Sequence, residues 1–373
     1  MRRVNTAVWM EKQKRWQINV QKDGIRKSFY SSTPGRNGQR ECNKKADDWL
    51  DGGVINDKTR VKELFDTWVE DVLKKTTGKS SWKQYESYGR NWICPRIGHI
   101  KIGAVNEGHL QSIIDAAFAA GLSKKTLSNI KACMMAFIKY ARINKGTLLL
   151  PEVLRVPAGA REGLRTILQP ADLQKLFTAD TRVLRGKVVY ELYVNAFRFE
   201  VVTGLRPGEV IGMDWADIND NRANVKRSIN RIGEETQGKN ENALRGFTLT
   251  PLAQWILHMQ KVKLMALGIR SNAVFPREDG ERIRQDTYYK RWVAYRNRAG
   301  IAHASPYELR HTFVSIVKQL PEGLLKPLVG HSKDMDTYGV YSHEVQGDTD
   351  ATSAMVQELF AKALGKSVLK SVL

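Results

Sequence analysis

The spacing of apolar residues changes along this chain, and that change rules out a single uniform architecture. Between Val8 and Tyr30 they alternate, with Trp16, Ile18 and Val20 on one side and Arg15, Gln17 and Asn19 on the other, the period of half-buried strands. Asp23-Gly24 supplies a tight turn before Ile25, Lys27 and Phe29, so a hairpin is expected. A polar helix ending in Ala46, Trp49 and Leu50 would cover the apolar face and stop at Gly52-Gly53. The opposite face, carrying Arg15, Gln17, Asn19 and Arg26, is polar and basic, a shape that can lie in a major groove.

From about Thr59 the spacing becomes three and four. Leu64, Trp68 and Val72 form one stripe; Trp82, Tyr85 and Trp92 a second; Leu127, Ile130, Phe137 and Ala141 a third. Stripes of this kind are core-facing sides of helices. Lys124, Lys125, Ser128, Lys131, Lys139 and Arg142 lie away from the last stripe, as a solvated face or as one that tracks phosphates. Pro151, Pro157, Gly159 and Gly163 then break any period, which reads as a linker. Beyond it, helical patterns run over Tyr190 to Thr203, Pro251 to Leu267, Gln285 to Arg298 and Pro306 to Leu320. A small sheet is expected around Ala223 to Arg231 and Gly246 to Thr250.

Charge narrows the function. The 373 residues carry 60 Lys and Arg against 39 Asp and Glu, a formal net charge of +21, and a surplus of this size favours a polyanionic partner through counterion release. The three cysteines, Cys42, Cys94 and Cys133, are too scattered for a disulfide framework or a zinc site. The N-terminus resembles no signal peptide and no run is long enough to span a bilayer, so a cytoplasmic protein without membrane partners is expected.

Four short stretches carry chemistry: Thr203-Gly204-Leu205-Arg206-Pro207-Gly208-Glu209, Tyr307-Glu308-Leu309-Arg310-His311-Thr312-Phe313, Leu328-Val329-Gly330-His331-Ser332 and Tyr338-Gly339-Val340-Tyr341-Ser342-His343. Gly204 would end one helix, with Pro207 opening the next and Arg206 presented between them, its guanidinium free to fork onto a phosphate. Singly, each stretch also has an ordinary structural reading, as a cap, a salt bridge or a core histidine. In this order the set resembles the tyrosine recombinase family, which includes lambda-type phage and conjugative-transposon integrases. The motif likeness covers Thr203 to His343; for the two preceding regions only the layout is similar, to an arm-site-binding sheet and a helical core-site-binding domain.

The resemblance implies roles. Arg206 and Arg310 match the two arginines that clamp the scissile phosphate, His331 the histidine that helps take the nucleophile's proton, and Tyr341 the nucleophile. Tyr338 is the rival nucleophile, placed earlier than the usual spacing and read here as packing. Lys239 matches the hairpin lysine that precedes the strand Arg245-Gly246-Phe247-Thr248-Leu249 and protonates the leaving 5′-oxygen, with Lys226 as the fallback. Tyr307 stands where the family usually has a histidine. A phenol can hydrogen-bond a phosphate but is a poor base at neutral pH, which shifts proton removal to His331. Glu209 and His311 are expected to support the arginine site from behind, and His343 to be a surface or packing residue. Asp350 to Leu364 reads as an amphipathic helix with Met355, Val356, Leu359, Phe360 and Leu364. It would dock on its own core or, as the resemblance favours, on a neighbouring subunit.

The expected fold is multidomain α+β. It comprises a sheet-plus-helix arm-site domain at 1–54, a helical core-site domain at 58–146, a linker at 147–165, and a mainly helical catalytic domain with a small antiparallel sheet at 166–373. The implied function is integration and excision of a mobile element by strand exchange through a 3′-phosphotyrosyl intermediate, independent of metal, ATP and cofactor. The implied partners are double-stranded attachment-site DNA and a homotetramer on that DNA in a bacterial nucleoid, with room for a DNA-bending host protein and an excisionase. Three rivals remain: a type IB topoisomerase; a metal-dependent nuclease built on Asp214, Asp217 and Asp220, which look like turn residues; and a DNA-binding regulator without catalysis.

Overall fold

A computed structural model describes residues 3–22, 25–51, 55–163, 165–236, 244–330, 348–365 and 368–369. The expected turns at Asp23-Gly24 and Gly52-Gly53 lie outside the described residues, as do Lys239, His331, Tyr338, Tyr341 and His343. The chain divides into two compact units, Met1–Gly163 and Leu164–Leu373.

The first unit holds two separate cores. Strands β1 (Val8–Met10), β2 (Arg15–Lys22) and β3 (Ile25–Ser31) form an antiparallel sheet in that order. Helix α1 (Gly35–Asp51) lies on one face, where Cys42, Ala46 and Leu50 bury themselves against Ile18 and Val20. The small Cys42 and Ala46 side chains, four residues apart, let the helix approach the sheet closely.

The second core is helical. Helix α2 (Val61–Trp68) continues through a wide π-type turn, Val69–Leu73, into α3 (Lys74–Thr76); α4 (Lys79–Tyr88) does the same through Gly89–Ile93 into α5 (Cys94–Ile97). Helices α6 (Glu107–Ala119) and α7 (Lys124–Ile143) complete the bundle. Asn106 caps α6 and Ser123 caps α7, each accepting from an amide with no helical partner. Trp68 packs against Phe65, Tyr85, Phe137 and Tyr140.

The segment read as a linker departs from that expectation. It has no regular secondary structure, yet up to Gly163 it is strapped along the bundle, with Leu154 and Ala160 buried in the helical core. Gln111 exchanges two hydrogen bonds with the Arg155 backbone, at 2.9 and 3.0 Å, and Lys131 Nζ donates to the Leu154 carbonyl at 2.5 Å. Side chains of the bundle thus supply the partners that a strand or helix would otherwise provide.

The second unit starts with α8 (Pro170–Thr178) and a hairpin absent from the sequence-based expectation, β4 (Thr181–Leu184) paired with β5 (Lys187–Tyr190). Helix α9 (Val194–Thr203) is buried at every position, as befits a central helix. Then come α10 (Pro207–Gly212), β6 (Ile218–Asn219), β7 (Arg222–Val225), the hairpin β8 (Ser228–Ile229) and β9 (Glu235–Thr236), and β10 (Arg245–Thr248). The order β10-β7-β6 makes a three-stranded antiparallel sheet. Helices α11 (Pro251–Ala266), α12 (Gln285–Ala299), α13 (Pro306–Ile316), α14 (Glu322–Val329) and α15 (Asp348–Leu364) follow.

The apolar face of α15 docks on its own unit: Val356, Phe360 and Leu364 are buried in that unit's core, and Phe360 stacks on Phe313 with ring centres 6.0 Å apart. Polar bonds pin the helix as well, from Thr248 to Asp350 at 2.9 Å and from the Leu252 amide to Gln357 at 3.1 Å. Only Met355 of the expected apolar residues stays exposed. Among the described residues no helix is long and apolar enough to cross a membrane.

Candidate active site

The turn between α9 and α10 builds one half of the site. Gly204 ends α9 with φ +66°, a left-handed conformation that glycine adopts without a steric penalty. Pro207 opens α10, where a missing N–H costs nothing, and Glu209 reaches back to accept from the Arg206 amide at 2.9 Å. The same carboxylate accepts from Arg206 Nη1 at 2.8 Å. The Arg206 side chain remains 30% exposed, so it is held by one edge and open on another.

Helix α13 builds the other half. Ser305 caps it, Pro306 takes the first position, and Glu308 closes the capping box. This fixes where the helix begins and places Arg310 in its second turn. Arg310 is buried, donating from Nη1 to the Gly204 carbonyl at 2.8 Å and from Nη2 to the Val329 carbonyl at 2.6 Å. Arg206 Nη2 donates to the next carbonyl, Gly330, at 3.3 Å. The two arginines, about a hundred residues apart in sequence, therefore meet at consecutive peptide groups where α14 ends, immediately before His331 in the chain. The C-terminus of a helix exposes unpaired carbonyls with partial negative charge, which is why guanidinium groups gather there.

A third arginine completes the arrangement. Arg245, at the start of β10, donates from Nη2 and Nη1 to the two Glu209 oxygens at 2.9 and 3.3 Å, and from Nε to the Leu328 carbonyl at 3.1 Å. The burial of Glu209 works against its ionisation, but Arg245 and Arg206 outweigh it and hold the carboxyl below its usual range. Burial and the nearby Arg206 charge bring Arg310 down to about 10, still protonated at neutral pH. Glu200, fully buried, is pushed far upward by that burial although Tyr288 donates to it at 2.7 Å, which favours its neutral form. Three cations thus face one carboxylate, and the surplus suits an anion that needs several donors at once.

The other expected site residues are distributed as follows. Tyr307 is half exposed on the first turn of α13, its ring edge-on to His311 at 5.1 Å. Burial and the Arg165 charge lower the His311 pKa, so it is neutral over most of the physiological range. Glu308 and Thr312, on either side of Arg310, accept from the Thr166 and Leu168 amides at 2.7 and 2.9 Å. Lys226 is engaged with Asp217 at 3.2 Å. Asp214 pairs with Arg227 and Arg282, and Asp217 also with Arg227.

In the first unit, Arg15, Gln17, Asn19 and Arg26 share the sheet face opposite α1, with Arg15 stacked over the Tyr30 ring at 4.0 Å. Gln17 and Ser28 both donate to Asn19 Oδ1. On α7, Lys125 is free-standing in solvent and Ser128 donates to the Lys124 carbonyl, whereas Lys124 pairs with Glu162 at 2.7 Å and Lys131 is taken up by the strap.

Sequence reasoning missed the part played by Arg245, which it treated only as a marker of the strand. A signal was present: alternation puts Arg245 on the same side as Phe247, which is buried, and an inward arginine needs a buried partner.

Comparisons with known proteins show what the chain is similar to. The phage integrase family pattern matches residues 167–347, and the phage integrase N-terminal SAM-like domain matches residues 60–117; together they cover more than half of the chain. A tyrosine recombinase XerC-like protein of Caldanaerobacter subterraneus subsp. tengcongensis is 23% identical over 375 residues, spanning 90% of this chain and 92% of its own. The prophage integrase IntR of Escherichia coli K12 is 26% identical over 188 residues, 43% of this chain and 46% of its own. Among solved structures, the Tn1549 transposon integrase in complex with circular intermediate DNA superposes with a TM-score of 0.63 at 17% identity, covering 79% of this chain and 98% of that one. A lambda integrase tetramer bound to a Holliday junction gives 0.57 at 14% identity, covering 91% and 98%.

Proposed function

This chain belongs to the phage integrase family, the tyrosine recombinases, and on that premise we propose that it exchanges DNA strands at specific sites with Arg206 and Arg310 clamping the scissile phosphate. The two guanidinium groups neutralise the nonbridging oxygens as negative charge builds in the transition state, where one such donor is worth roughly 3 kcal/mol. Tyr341 attacks phosphorus, its proton passing to His331, while Tyr307 hydrogen-bonds the phosphate. The Tyr341–phosphorus ester forms as the bond to the 5′-oxygen breaks, and Lys239 protonates that oxygen as it leaves. The product is a 3′-phosphotyrosine and a free 5′-hydroxyl. Because one ester replaces another, a second 5′-hydroxyl can reverse the step without nucleotide hydrolysis.

The observation that carries this reading is the meeting of Arg206 and Arg310 on the Val329 and Gly330 carbonyls. The net charge of +21 supports DNA as the substrate. The biological role we propose is integration and excision of a mobile element by a homotetramer on attachment-site DNA in the bacterial nucleoid, helped by a DNA-bending protein and an excisionase. The polar sheet face with Arg15, Gln17, Asn19 and Arg26 would read arm sites, and Lys124, Lys125, Ser128 and Lys131 on α7 would follow the core-site backbone. A topoisomerase would share the chemistry, but the similarity to integrases spans the helical domain as well as the catalytic one.

Attachment sites often adjoin an integrase gene, so the test uses a duplex from the DNA flanking the coding sequence, nicked to trap the cleaved strand. The wild-type protein should become covalently attached, Tyr338→Phe should still do so, and Tyr341→Phe should not. Loss of the adduct in Tyr338→Phe with Tyr341→Phe unaffected would assign the nucleophile to Tyr338.

A further inference from the structure

Arg245 has no role in the reaction as set out above, yet it joins three pieces of the site. Its guanidinium, with a side chain only 8% exposed, makes a forked contact with both oxygens of Glu209 and a third bond to the Leu328 carbonyl. Glu209 is the carboxylate that orients Arg206. Leu328 directly precedes the two carbonyls that receive Arg310 and Arg206. Arg206 also bonds Glu209 and the Gly330 carbonyl, so the two guanidinium groups flank the same carboxylate, with Arg245 the more buried of the two.

Resting on the recombinase reading, we propose that Arg245 is a positioning residue for phosphate activation: it sets the orientation and the effective charge of Arg206 without touching the DNA. Orientation follows from geometry, because the fork locks the carboxylate that in turn locks Arg206, and the Nε bond ties both to the end of α14. Charge follows from sharing. Glu209 carries one negative charge; with Arg245 bound, that charge is divided between two guanidinium groups, so Arg206 keeps more of its own for the phosphate. Lysine can supply the charge but not the fork, since an ammonium cannot span two carboxylate oxygens and a carbonyl with a fixed planar geometry.

The test compares single-turnover adduct formation by the full-length protein on two nicked duplexes of the same attachment sequence. One carries the ordinary scissile phosphate; in the other a methyl group replaces one nonbridging oxygen, removing the charge that the arginines neutralise. Arg245→Met is expected to slow cleavage of the ordinary duplex about 100-fold, the size of a small misplacement of a reacting group. On the methylphosphonate the same variant should lag the wild type by under about ten-fold, and Arg245→Lys should recover part of the rate on the ordinary duplex. DNA affinity should be unchanged. Equal slowing on both linkages would mean a merely structural residue and would overturn the proposal, as would an Arg245→Met variant as fast as the wild type. Should Arg245→Met fail to fold, Arg245→Lys carries the same comparison. A wild-type protein that forms no adduct on the ordinary duplex would instead sink the recombinase reading beneath it.

Discussion

Glu209 accepts from the Arg206 amide, the Arg206 guanidinium and the Arg245 guanidinium while buried. A carboxylate in that position survives only because its partners replace the water it has lost. Glu200 shows the opposite outcome one turn before Gly204. Among the described residues its donor is the neutral Tyr288 hydroxyl, and burial pushes its carboxyl well above the ordinary range. The sign for stability follows. The folded state keeps the Glu200 proton where the unfolded chain, with a carboxyl ionising near about 4.3, gives it up. Stability from this group is therefore full below that pH and is lost as pH rises toward the folded value. Glu200→Gln, which is neutral at every pH, should melt close to the wild type at acid pH and increasingly above it toward pH 8. A melting difference that stays flat, or that narrows with rising pH, would show Glu200 to be ionised in the fold. Arg206 and Arg310 were legible in the sequence because each sits in a short motif with its own helix signals. Arg245 was not, because its partners lie 36 and 83 positions away and nothing in its immediate neighbourhood names them.

The α9–α10 turn is the element on which the site is mounted. A Cβ on Gly204 would come within 2.3 Å of the Phe313 ring, and the backbone there is left-handed. Phe313 lies three residues after Arg310 on α13, and the Gly204 carbonyl itself receives Arg310. Gly204→Ala should therefore both strain the turn and separate the two helices, lowering stability by about 3 kcal/mol and slowing adduct formation more than DNA binding. A variant with unchanged melting and cleavage would show that the turn tolerates a side chain. Other elements were less visible beforehand. The strap packs through residues with no period, since its order comes from Gln111 and Lys131 side chains rather than from its own pattern. The β4–β5 hairpin escaped notice because its turn, Arg185-Gly186, lies between short strands whose Val183, Leu184 and Val188 are exposed and carry no alternation. The place of α15 depended on Phe313, far away in sequence, so its apolar stripe alone left the choice of surface open.

At the scale of the molecule, the described residues form three separate cores, each closed by its own aromatic or aliphatic cluster. The two arginine motifs stand about a hundred positions apart in the second unit, joined by α9 and α13 packing side by side. That convergence is a property of the folded chain and of no segment within it. If both guanidinium groups serve one phosphate, their losses cannot be independent. The direct measurement is a double-mutant cycle on the intact protein, timing single-turnover adduct formation for Arg206→Gln, Arg310→Gln and the pair. Each single change should slow cleavage by about 100-fold or more, and the pair should be only slightly slower than the worse single variant. Losses that multiply in full would contradict the clamp, because they would place the two arginines on separate tasks.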